Sequence, residues 1–294
     1  MVKNDRMIIA AFPDVVPIGK KVAAALKAKF EEIRVHKFPD NEFNIKFKNN
    51  PKGKKVVVIN SIFNETNQKL VETLLAGGVA KDYGAKKIIL VATYLPYMRQ
   101  DTHFSNYDSF SAKHMLEIFA DFDKIIAIDP HLHRIKNMHY LSDRAESITA
   151  DDVIADYIKK RFKGDFEIIG PDEESQQWSA KIAKILKKKV VILHKDRFGD
   201  SRIKQVSFNF DKNKNYIIID DIISTGKTIA GVLGMIEKRG AKKIVCIGIH
   251  GLLTNGADKL IKKYAELITT NTISGKYSRI DVSPAIIERL KKEI

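Results

Sequence analysis

The sequence predicts an α/β protein with two similar domains, each a mostly parallel sheet flanked by helices. Short apolar runs rich in Val and Ile alternate along the chain with segments whose apolar residues recur at helical spacing. This alternation is typical of strands joined by crossover helices. The pentapeptide GAKKI occurs at 84–88 and again at 240–244, each time between a helical segment and an apolar run. The repeat indicates two related halves, which we assign to residues 1–143 and 144–294.

The first half alternates strands and helices from its start. Apolar, β-branched runs predict buried strands at 7–12, 54–62, 88–95 and from 123 onward. Polar and apolar residues alternate at 33–38 and at 43–47, as they do in half-buried strands. Helical spacing predicts helices at 18–30, 69–83 and 111–122, the second of them stopped by Gly84. The pattern weakens at 142–149, and the domain boundary is therefore predicted in that segment.

The second half repeats this alternation. Helices are predicted at 151–162, 176–186, 229–240, 256–264 and 280–290. Apolar runs predict strands at 166–171, 190–194, 216–219, 244–251 and 266–273, and an alternating segment lies at 202–210. The spacing of the elements is compatible with a second parallel sheet.

Cysteine content and charge limit the class of protein. The only cysteine, Cys246, lies in an apolar run, so we expect a core side chain, no disulfide framework and a cytoplasmic location. The formal net charge is +15, but the lysines are spread over the polar faces of predicted helices. We therefore expect anionic small-molecule substrates and no nucleic-acid partner. No apolar run reaches the length of a membrane span, so no membrane association is expected.

The stretch from Asn215 to Thr228, NYIIIDDIISTGKT, carries the strongest functional signal. An apolar run precedes Asp220 and Asp221, and a hydroxyl-rich turn then leads into a helical segment. The stretch is not a Walker A loop, because that motif requires a glycine five residues before Gly226, where Asp221 stands. A sugar phosphate fits better, with its hydroxyls on the two carboxylates and its phosphate at the turn. An ordinary capped turn between a strand and a helix is the alternative.

Polar clusters also follow other predicted strands, at the edge where parallel sheets bind ligands. These clusters are Asp40 to Glu42, Arg99 to Asp101, Asp129 to His133, Asp172 to Glu174 and Lys195 to Arg197. Each cluster alone has an explanation as a turn or a solvated surface. Their recurrence at equivalent strand ends favours a ligand site.

Two histidines in the DPHLHR run are spaced two residues apart. His131 follows Pro130 at the predicted end of a strand and is the candidate metal ligand, although a structural histidine would also fit. On an extended segment His133 would point to the opposite face, so we expect it at the surface or behind the metal ligands.

Cationic side chains in two other clusters fit phosphate chemistry. Lys195 and Arg197 lie near a glycine, in a loop that could close over a substrate and neutralise charge on phosphate oxygens. A solvated loop is the alternative. Arg99 offers a planar fork for a phosphate or a purine, and a surface ion pair with Asp101 is the alternative.

These motifs together resemble those of the ribose-phosphate pyrophosphokinases. FPDNE at 38–42, YLPYMRQD at 94–101, DPHLHR at 129–134, Pro-Asp at 171–172, KDR at 195–197 and IDDIISTGKT at 219–228 occur in the order and spacing of that family. The resemblance implies two phosphoribosyltransferase-type domains and transfer of the β,γ-diphosphate of ATP to the 1-hydroxyl of ribose 5-phosphate. It also implies Mg²⁺ as cofactor and a homo-oligomer, either a dimer or a hexamer.

The resemblance also implies a role for particular residues. The implied ATP-binding residues are Phe38, Asp40, Asn41, Glu42, Arg99, Gln100 and Asp101, those of the first cluster acting across a subunit contact. The implied ribose 5-phosphate residues are Arg197, Asp220, Asp221, Ser224, Thr225, Gly226, Lys227 and Thr228. His131 and Asp172 would be metal-associated, and Lys195 and Arg197 would be the catalytic loop pair.

Three positions depart from the family pattern. Lys227 stands where a second loop glycine is usual, which adds a cation and is expected to cost backbone freedom. Glu173 and Glu174 replace small or basic residues, so they need Mg²⁺ or an outward orientation. Thr102 replaces a common cationic residue.

Two other functions share parts of this pattern. A phosphoribosyltransferase would carry the same central stretch without the FPDNE and RQD segments. A non-catalytic regulatory homologue is expected to lack the loop cations and the paired carboxylates, all of which are present.

Overall fold

The structure is a computed structural model that describes residues 4–193, 211 and 214–294. These residues form two compact units. Unit 1 contains the described residues up to Thr149 together with Thr272–Ser274 and Val282–Ile294, and unit 2 contains those of Ala150–Asn271 and Gly275–Asp281. Within the described part of the chain, every helix is too short or too polar to cross a membrane.

Unit 1 is built on a six-stranded parallel sheet. Its strands are β1 (Asn4–Ala11), β2 (Ala28–Glu32), β5 (Lys55–Ser61), β6 (Lys87–Tyr94), β7 (Lys124–Ile128) and β8 (Ala145–Ile148), in the order β2-β1-β5-β6-β7-β8. A separate antiparallel hairpin consists of β3 (Arg34–Lys37) and β4 (Phe43–Lys46). The helices are α1 (Val16–Leu26), α2 (Thr66–Asp82), α3 (Ser111–Ile118) and α8 (Ser283–Leu290).

Unit 2 is built on a second six-stranded parallel sheet. Its strands are β9 (Phe166–Gly170), β10 (Val190–Ile192), β11 (Asn215–Ile223), β12 (Lys243–Gly251), β13 (Glu266–Thr270) and β14 (Ser278–Ile280), in the order β10-β9-β11-β12-β13-β14. The helices are α4 (Asp151–Arg161), α5 (Gln176–Leu186), α6 (Lys227–Lys238) and α7 (Ala257–Ile261). Apolar residues of β11, β12 and α6 form the core of the unit.

The two sheets share one strand order, which confirms the predicted pair of similar α/β domains. In each sheet the second strand lies at an edge, the first lies beside it, and the remaining four follow in chain order. Both copies of GAKKI lead into the fourth strand, and their last two residues are the first two of that strand. Their glycines, Gly84 and Gly240, adopt left-handed φ angles of 73° and 81° where a helix ends, a conformation that favours glycine.

Several element boundaries differ from the prediction. The predicted helix 18–30 is two elements, because Lys27 adopts a left-handed φ of 55° that ends α1, and the following residues form β2. Strand β8 lies in the segment where the pattern weakened. The compact units divide after Thr149, whereas the sequence divided the chain after residue 143 and did not return any later segment to the first domain.

The buried side chain of Glu293, in the turn after α8, connects this segment to the amino ends of the strands in the unit 1 sheet. The Glu293 side chain is 8% exposed and accepts ion pairs from Lys87 at 2.7 Å, Lys124 at 3.2 Å and Arg289 at 2.8 Å. Lys55 donates to the Glu293 carbonyl oxygen. Because Lys55, Lys87 and Lys124 are the first residues of three adjacent strands, Glu293 links the amino ends of these strands and offsets part of their positive charge.

Replacing Glu293 with Gln should lower the free energy of unfolding by about 2–3 kcal/mol, since it leaves several partly buried cations without their shared carboxylate. Burial alone would raise the pKa of Glu293, but hydrogen bonds from Lys87, Arg289 and Lys124 lower it to about 2 from 4.5. A depressed carboxyl pKa stabilises the fold above about pH 4.5, and this contribution is lost as the pH falls towards 2. Urea unfolding at pH 7 and at pH 3 measures both effects.

Glu288→Gln is the matched control, because Glu288 lies on α8, just before the turn that contains Glu293, but its side chain is 73% exposed and pairs only with Lys291 among the described residues. Exposed pairs contribute less than about 1 kcal/mol. Equal unfolding midpoints for the two variants would contradict the role assigned to Glu293.

Candidate active site

Asp220 and Asp221 lie inside β11, before its last two residues, whereas the sequence predicted them directly after the strand. Successive strand residues face opposite sides of a sheet, and the two carboxylates accordingly differ. Asp220 is half-buried, whereas Asp221 is 3% exposed and donates its backbone N–H to Asp220 Oδ1 at 3.1 Å. On the neighbouring strand, burial raises the pKa of the Cys246 thiol, and the Asp220 charge adds to the shift. The prediction that Cys246 is a core side chain is confirmed.

The hydroxyl-rich turn 224–226 connects β11 to the 12-residue helix α6. Gly226 precedes the helix with a φ of 69°, and no side chain caps the first turn. The N–H groups of that turn have no carbonyl partner within the helix, which makes the turn a suitable place for an anion. Lys227 is the first residue of α6, so the loss of backbone freedom expected there does not arise.

A segment that the sequence did not single out braces this turn. Leu253 donates its N–H to the Ile223 carbonyl at 2.9 Å, and Thr254 donates its N–H to the Ser224 carbonyl at 3.0 Å. The hydroxyl oxygens of Ser224 and Thr254 lie 3.3 Å apart. Thr254 follows β12, so the general rule that polar residues gather at strand ends could have identified it.

Asp172 follows β9 at the same sheet edge and shapes the turn into α5. Its Oδ1 accepts the Ser175 N–H at 3.0 Å, and its carbonyl accepts the Ser175 hydroxyl at 2.6 Å. The side chain is half-buried, whereas Glu173 and Glu174 are exposed. Lys195 and Arg197 lie outside the described residues. Ile192, the last residue of β10, pairs with Gly170 of β9, so the chain enters the segment containing both cations at this edge.

In unit 1 the two histidines after β7 meet, which contradicts the prediction that they face opposite ways. Their Nε2 atoms are 2.7 Å apart, and the rings lie edge to face with centroids 4.1 Å apart. Asp129 adopts a φ of 38°, and Leu132 donates its N–H to the Pro130 carbonyl at 2.7 Å. This three-residue turn interrupts the extended backbone on which the prediction depended.

The Asp101 carboxylate fixes the backbone of the loop after β7 that contains both histidines. Its Oδ2 accepts the N–H groups of His133 at 2.8 Å and Arg134 at 2.6 Å, and its Oδ1 accepts the Arg134 guanidinium at 3.2 Å. Burial alone would raise the pKa of this carboxyl, which is 1% exposed, but these hydrogen bonds hold the pKa below its ordinary value. Asp101 therefore pairs with Arg134. It does not pair with Arg99, the partner that the sequence had offered as an alternative.

Gln100 and Arg99 have different surroundings in the loop after β6. The Gln100 Oε1 accepts the hydroxyls of Ser109 at 3.0 Å and Ser111 at 2.6 Å, which ties the two ends of that loop together. Arg99 is exposed, and Thr102 is half-buried. Arg99 is therefore accessible to a ligand, whereas Gln100 also has a structural role.

The FPDNE residues form the loop of the β3–β4 hairpin, outside the parallel sheet, and not a strand end of that sheet as the sequence predicted. Phe38 donates its N–H to the Glu42 carbonyl at 2.8 Å, and Asn41 has a φ of 71°. Asp40, Asn41 and Glu42 are exposed, and Phe38 is 40% exposed. The hairpin presents an aromatic ring and two carboxylates to solvent.

Comparison with known sequences connects both units to one family. Residues 7–122 match the N-terminal domain of ribose phosphate pyrophosphokinase, and residues 140–283 match the phosphoribosyl transferase domain. A ribose-phosphate pyrophosphokinase from Pyrococcus furiosus is 31% identical over 267 residues, covering 90% of this chain and 94% of the relative. The chain belongs to the ribose-phosphate pyrophosphokinase family.

Two further comparisons support membership of the ribose-phosphate pyrophosphokinase family. The Thermoplasma acidophilum ribose-phosphate pyrophosphokinase is 29% identical over 274 residues, covering 92% of this chain and 94% of the relative. The crystal structure of phosphoribosylpyrophosphate synthetase from Mycobacterium smegmatis matches with a TM-score of 0.83 at 23% identity, covering 97% of this chain and 99% of that one. The fold is therefore that of the family, with two phosphoribosyltransferase-type domains.

Proposed function

We propose that this protein transfers the β,γ-diphosphate of ATP to the 1-hydroxyl of ribose 5-phosphate, giving phosphoribosyl diphosphate and AMP. ATP and ribose 5-phosphate are the substrates of the family to which the chain belongs. The observation that carries the proposal is the arrangement in unit 2, where two carboxylates near the end of β11 precede the uncapped N-terminus of α6. Carboxylates accept hydrogen bonds from sugar hydroxyls, and helix N–H groups bind a phosphate.

Ribose 5-phosphate is proposed to bind along this turn. Asp220 and Asp221 accept hydrogen bonds from the ribose hydroxyls. The 5-phosphate lies against Ser224, Thr225, Gly226, Lys227 and Thr228, with Arg197 as a further cationic contact. The exposed side chains of Thr225 and Lys227 are accessible to such a ligand.

Replacing Gly226 with Ala should raise the KM for ribose 5-phosphate about tenfold. A left-handed non-glycine residue costs roughly 1–2 kcal/mol. The added Cβ would also lie 3.1 Å from Ala257 Cβ and 3.2 Å from Ile261 Cδ1, so these neighbours or the turn must give way by a few tenths of an ångström. Initial rates at varied ribose 5-phosphate and a thermal melt measure the two consequences.

Gly53→Ala is the matched control for that variant. Gly53 has the same φ of 69°, but its added Cβ would meet nothing within 4 Å. It should lower stability through the same backbone strain and leave the KM unchanged. Equal KM values for the two variants would exclude the turn at Gly226 from phosphate binding.

ATP is proposed to bind through Arg99, Gln100 and the hairpin loop residues Phe38, Asp40, Asn41 and Glu42. The exposure of Phe38 and of both hairpin carboxylates supports a contribution to the site of a neighbouring subunit in a homo-oligomer, either a dimer or a hexamer. Asp101 was expected among these ATP contacts. Its buried hydrogen bonds support a positioning role instead.

The proposed reaction is an in-line displacement at phosphorus. The ribose 1-oxygen forms a bond to the β-phosphorus and releases its proton to solvent water, while the bond between the β-phosphorus and the α,β-bridging oxygen breaks to release AMP. Lys195 and Arg197 neutralise charge that builds up on the phosphate oxygens. His131 and Asp172 are each proposed as Mg²⁺-associated positions, and Mg²⁺ would reduce the negative charge of the transferred diphosphate when bound. The Asp172 carboxylate suits Mg²⁺, which prefers oxygen ligands.

The test of this function is incubation of the protein with ATP, Mg²⁺ and ribose 5-phosphate, with AMP and phosphoribosyl diphosphate measured by chromatography. AMP and phosphoribosyl diphosphate should appear in equal amounts, and neither should form with ribose in place of its phosphate. A phosphoribosyltransferase would form nothing from these substrates and would consume phosphoribosyl diphosphate with a base. AMP release without ribose 5-phosphate would also exclude the proposed reaction.

A further inference from the structure

The helix-to-strand connections of unit 2 are strongly basic. They read KKRFKGD at 159–165, KKK at 187–189, KRGAKK at 238–243 and KKYAE at 262–266, and their carboxylates are Asp165 and Glu266. Every Lys and Arg in them is exposed except Lys188, which is half-buried. Because the strands that follow are parallel, all four connections lie where the strands of this sheet begin. We call this surface the basic end of unit 2.

Ion pairs join the four connections into one surface. The Asp165 carboxylate lies 3.4 Å from the Lys188 ammonium, and the Glu266 carboxylate lies 3.0 Å from Arg161 and 3.4 Å from Lys243. The sequence spreads these cations over several helices, and the expectation of no nucleic-acid partner depended on that spread. The fold gathers the same cations at one end of one sheet.

Helix polarity alone does not account for this charge. Cations are favourable near the last turn of a helix, and the same reason applies to unit 1, whose sheet has the same strand order. The connections that lead into the fourth and fifth strands of unit 1 read KDYGAKK at 81–87 and ADFDK at 120–124. There Asp82, Asp121 and Asp123 nearly balance the lysines, so the topology does not require a basic end.

Attraction of a small anionic substrate does not account for it either. The candidate ribose 5-phosphate turn and Asp172 lie where strands of the unit 2 sheet end, and the basic end lies where they begin. The positive charge is therefore placed at the opposite end of the sheet from the candidate site. A separate anionic partner is the remaining explanation for so dense a cluster of exposed cations.

The side chains of the basic end favour a partner that is bound through its phosphates. Phe162 is half-buried, and Arg161 and Lys243 lie over its ring at 5.9 and 5.5 Å from the centroid. Within these four connections, all of them described, no large apolar side chain is exposed. Bases of a single strand would lack a stacking surface, and a membrane would lack an apolar anchor.

The width of the basic end matches a run of backbone phosphates. From β10 to β13 the sheet has four strand spacings of about 4.8 Å, or roughly 19 Å in all. Phosphates of one DNA strand recur about every 3.4 Å, so roughly five of them fit this width. We infer that the basic end of unit 2 binds the phosphate backbone of double-stranded DNA without reading its sequence. This inference does not depend on the proposed function.

The experiment measures fluorescence anisotropy of a labelled DNA duplex of about 20 base pairs with the full chain, without nucleotide or ribose 5-phosphate. If about five phosphates are neutralised, the logarithm of the association constant should fall with the logarithm of salt concentration with a slope of about −4 to −5. Two duplexes of unrelated sequence should bind with affinities within about twofold of each other, since phosphate contacts carry no sequence information.

The variant Lys163→Glu, Lys189→Glu, Lys242→Glu reverses one exposed lysine in each of three connections. It should weaken duplex binding at least tenfold and make the salt slope shallower by about 2, since fewer phosphates are then neutralised. A thermal melt checks its fold. If it melts early, Lys189→Ala with Lys242→Ala is the milder change and should still weaken binding at least threefold.

The matched control changes the net charge equally on three different segments of unit 1, with Lys20→Glu, Lys52→Glu and Lys136→Glu, all exposed. It should weaken duplex binding less than threefold. Equal weakening by the two triple variants would mean that net charge alone attracts DNA, and the inference would be wrong. It would also be wrong if the protein bound vesicles of anionic lipid but no duplex, or if duplex binding were independent of salt.

Discussion

Replacing Lys195 with Ala should lower kcat by about a hundredfold or more, which is the usual loss when one preorganised charge donor is removed. Lys195 lies outside the described residues, but β10, which precedes it in the sequence, ends at the sheet edge where Asp172 also lies. Charge on the phosphate oxygens builds up mainly in the transition state. The KM values for ATP and ribose 5-phosphate should therefore change much less than kcat.

Lys181→Ala provides the comparison, since Lys181 is an exposed lysine on α5 of the same unit. Its removal should leave both kcat and KM unchanged. Steady-state rates with both substrates varied distinguish the two variants. A Lys195→Ala protein with normal kcat would remove Lys195 from the catalytic step.

The double substitution Asp220→Asn with Asp221→Asn should lower kcat/KM for ribose 5-phosphate about a thousandfold. Hydrogen bonds to a charged group contribute about 1.5–3 kcal/mol each, and two of them are weakened here. The single variants should differ because their burial differs. Asp220 is half-buried and accessible to a sugar, so its loss should mainly affect catalysis, whereas loss of the buried Asp221 charge should also lower the melting temperature.

The control is Asp152→Asn with Asp156→Asn, which makes the same change of charge on exposed residues of α4. Calorimetric titration with ribose 5-phosphate should show weaker binding for the β11 double variant only. Unchanged affinity in that variant would mean that the sugar binds elsewhere.

The parallel sheets could be predicted because their central strands are buried on both faces. Val56 to Ile59 and Ile88 to Val91 are continuous apolar runs, and in the structure all eight side chains are buried in β5 and β6. Such runs need no knowledge of distant contacts to be recognised. The candidate sugar-phosphate turn could be predicted for a similar reason, because Asp220 to Thr228 is one continuous segment of the sequence.

The remaining features depended on backbone turns that the residue pattern does not specify. The left-handed Lys27 separates α1 from β2 within a run that has helical spacing throughout. The turn at Pro130 brings His131 and His133 together, and it is held by Asp101, which lies thirty residues earlier in the chain. Thr254 could be noticed as a polar residue after a strand, but its pairing with Ser224 and that of Asp101 with His133 are long-range, so no local pattern specifies the partners.

The ion pairs between Glu293 and the lysines of the unit 1 sheet affect the order in which the two units can fold during synthesis. The Thr272 carbonyl accepts the hydroxyls of Ser61 at 2.8 Å and Thr93 at 2.7 Å, so two late segments complete the N-terminal unit. Nascent domains generally fold from the N-terminus first. Here the last residue of unit 2 is synthesised before α8, which belongs to unit 1. Unit 1 is therefore the later of the two units to have all of its residues available for folding.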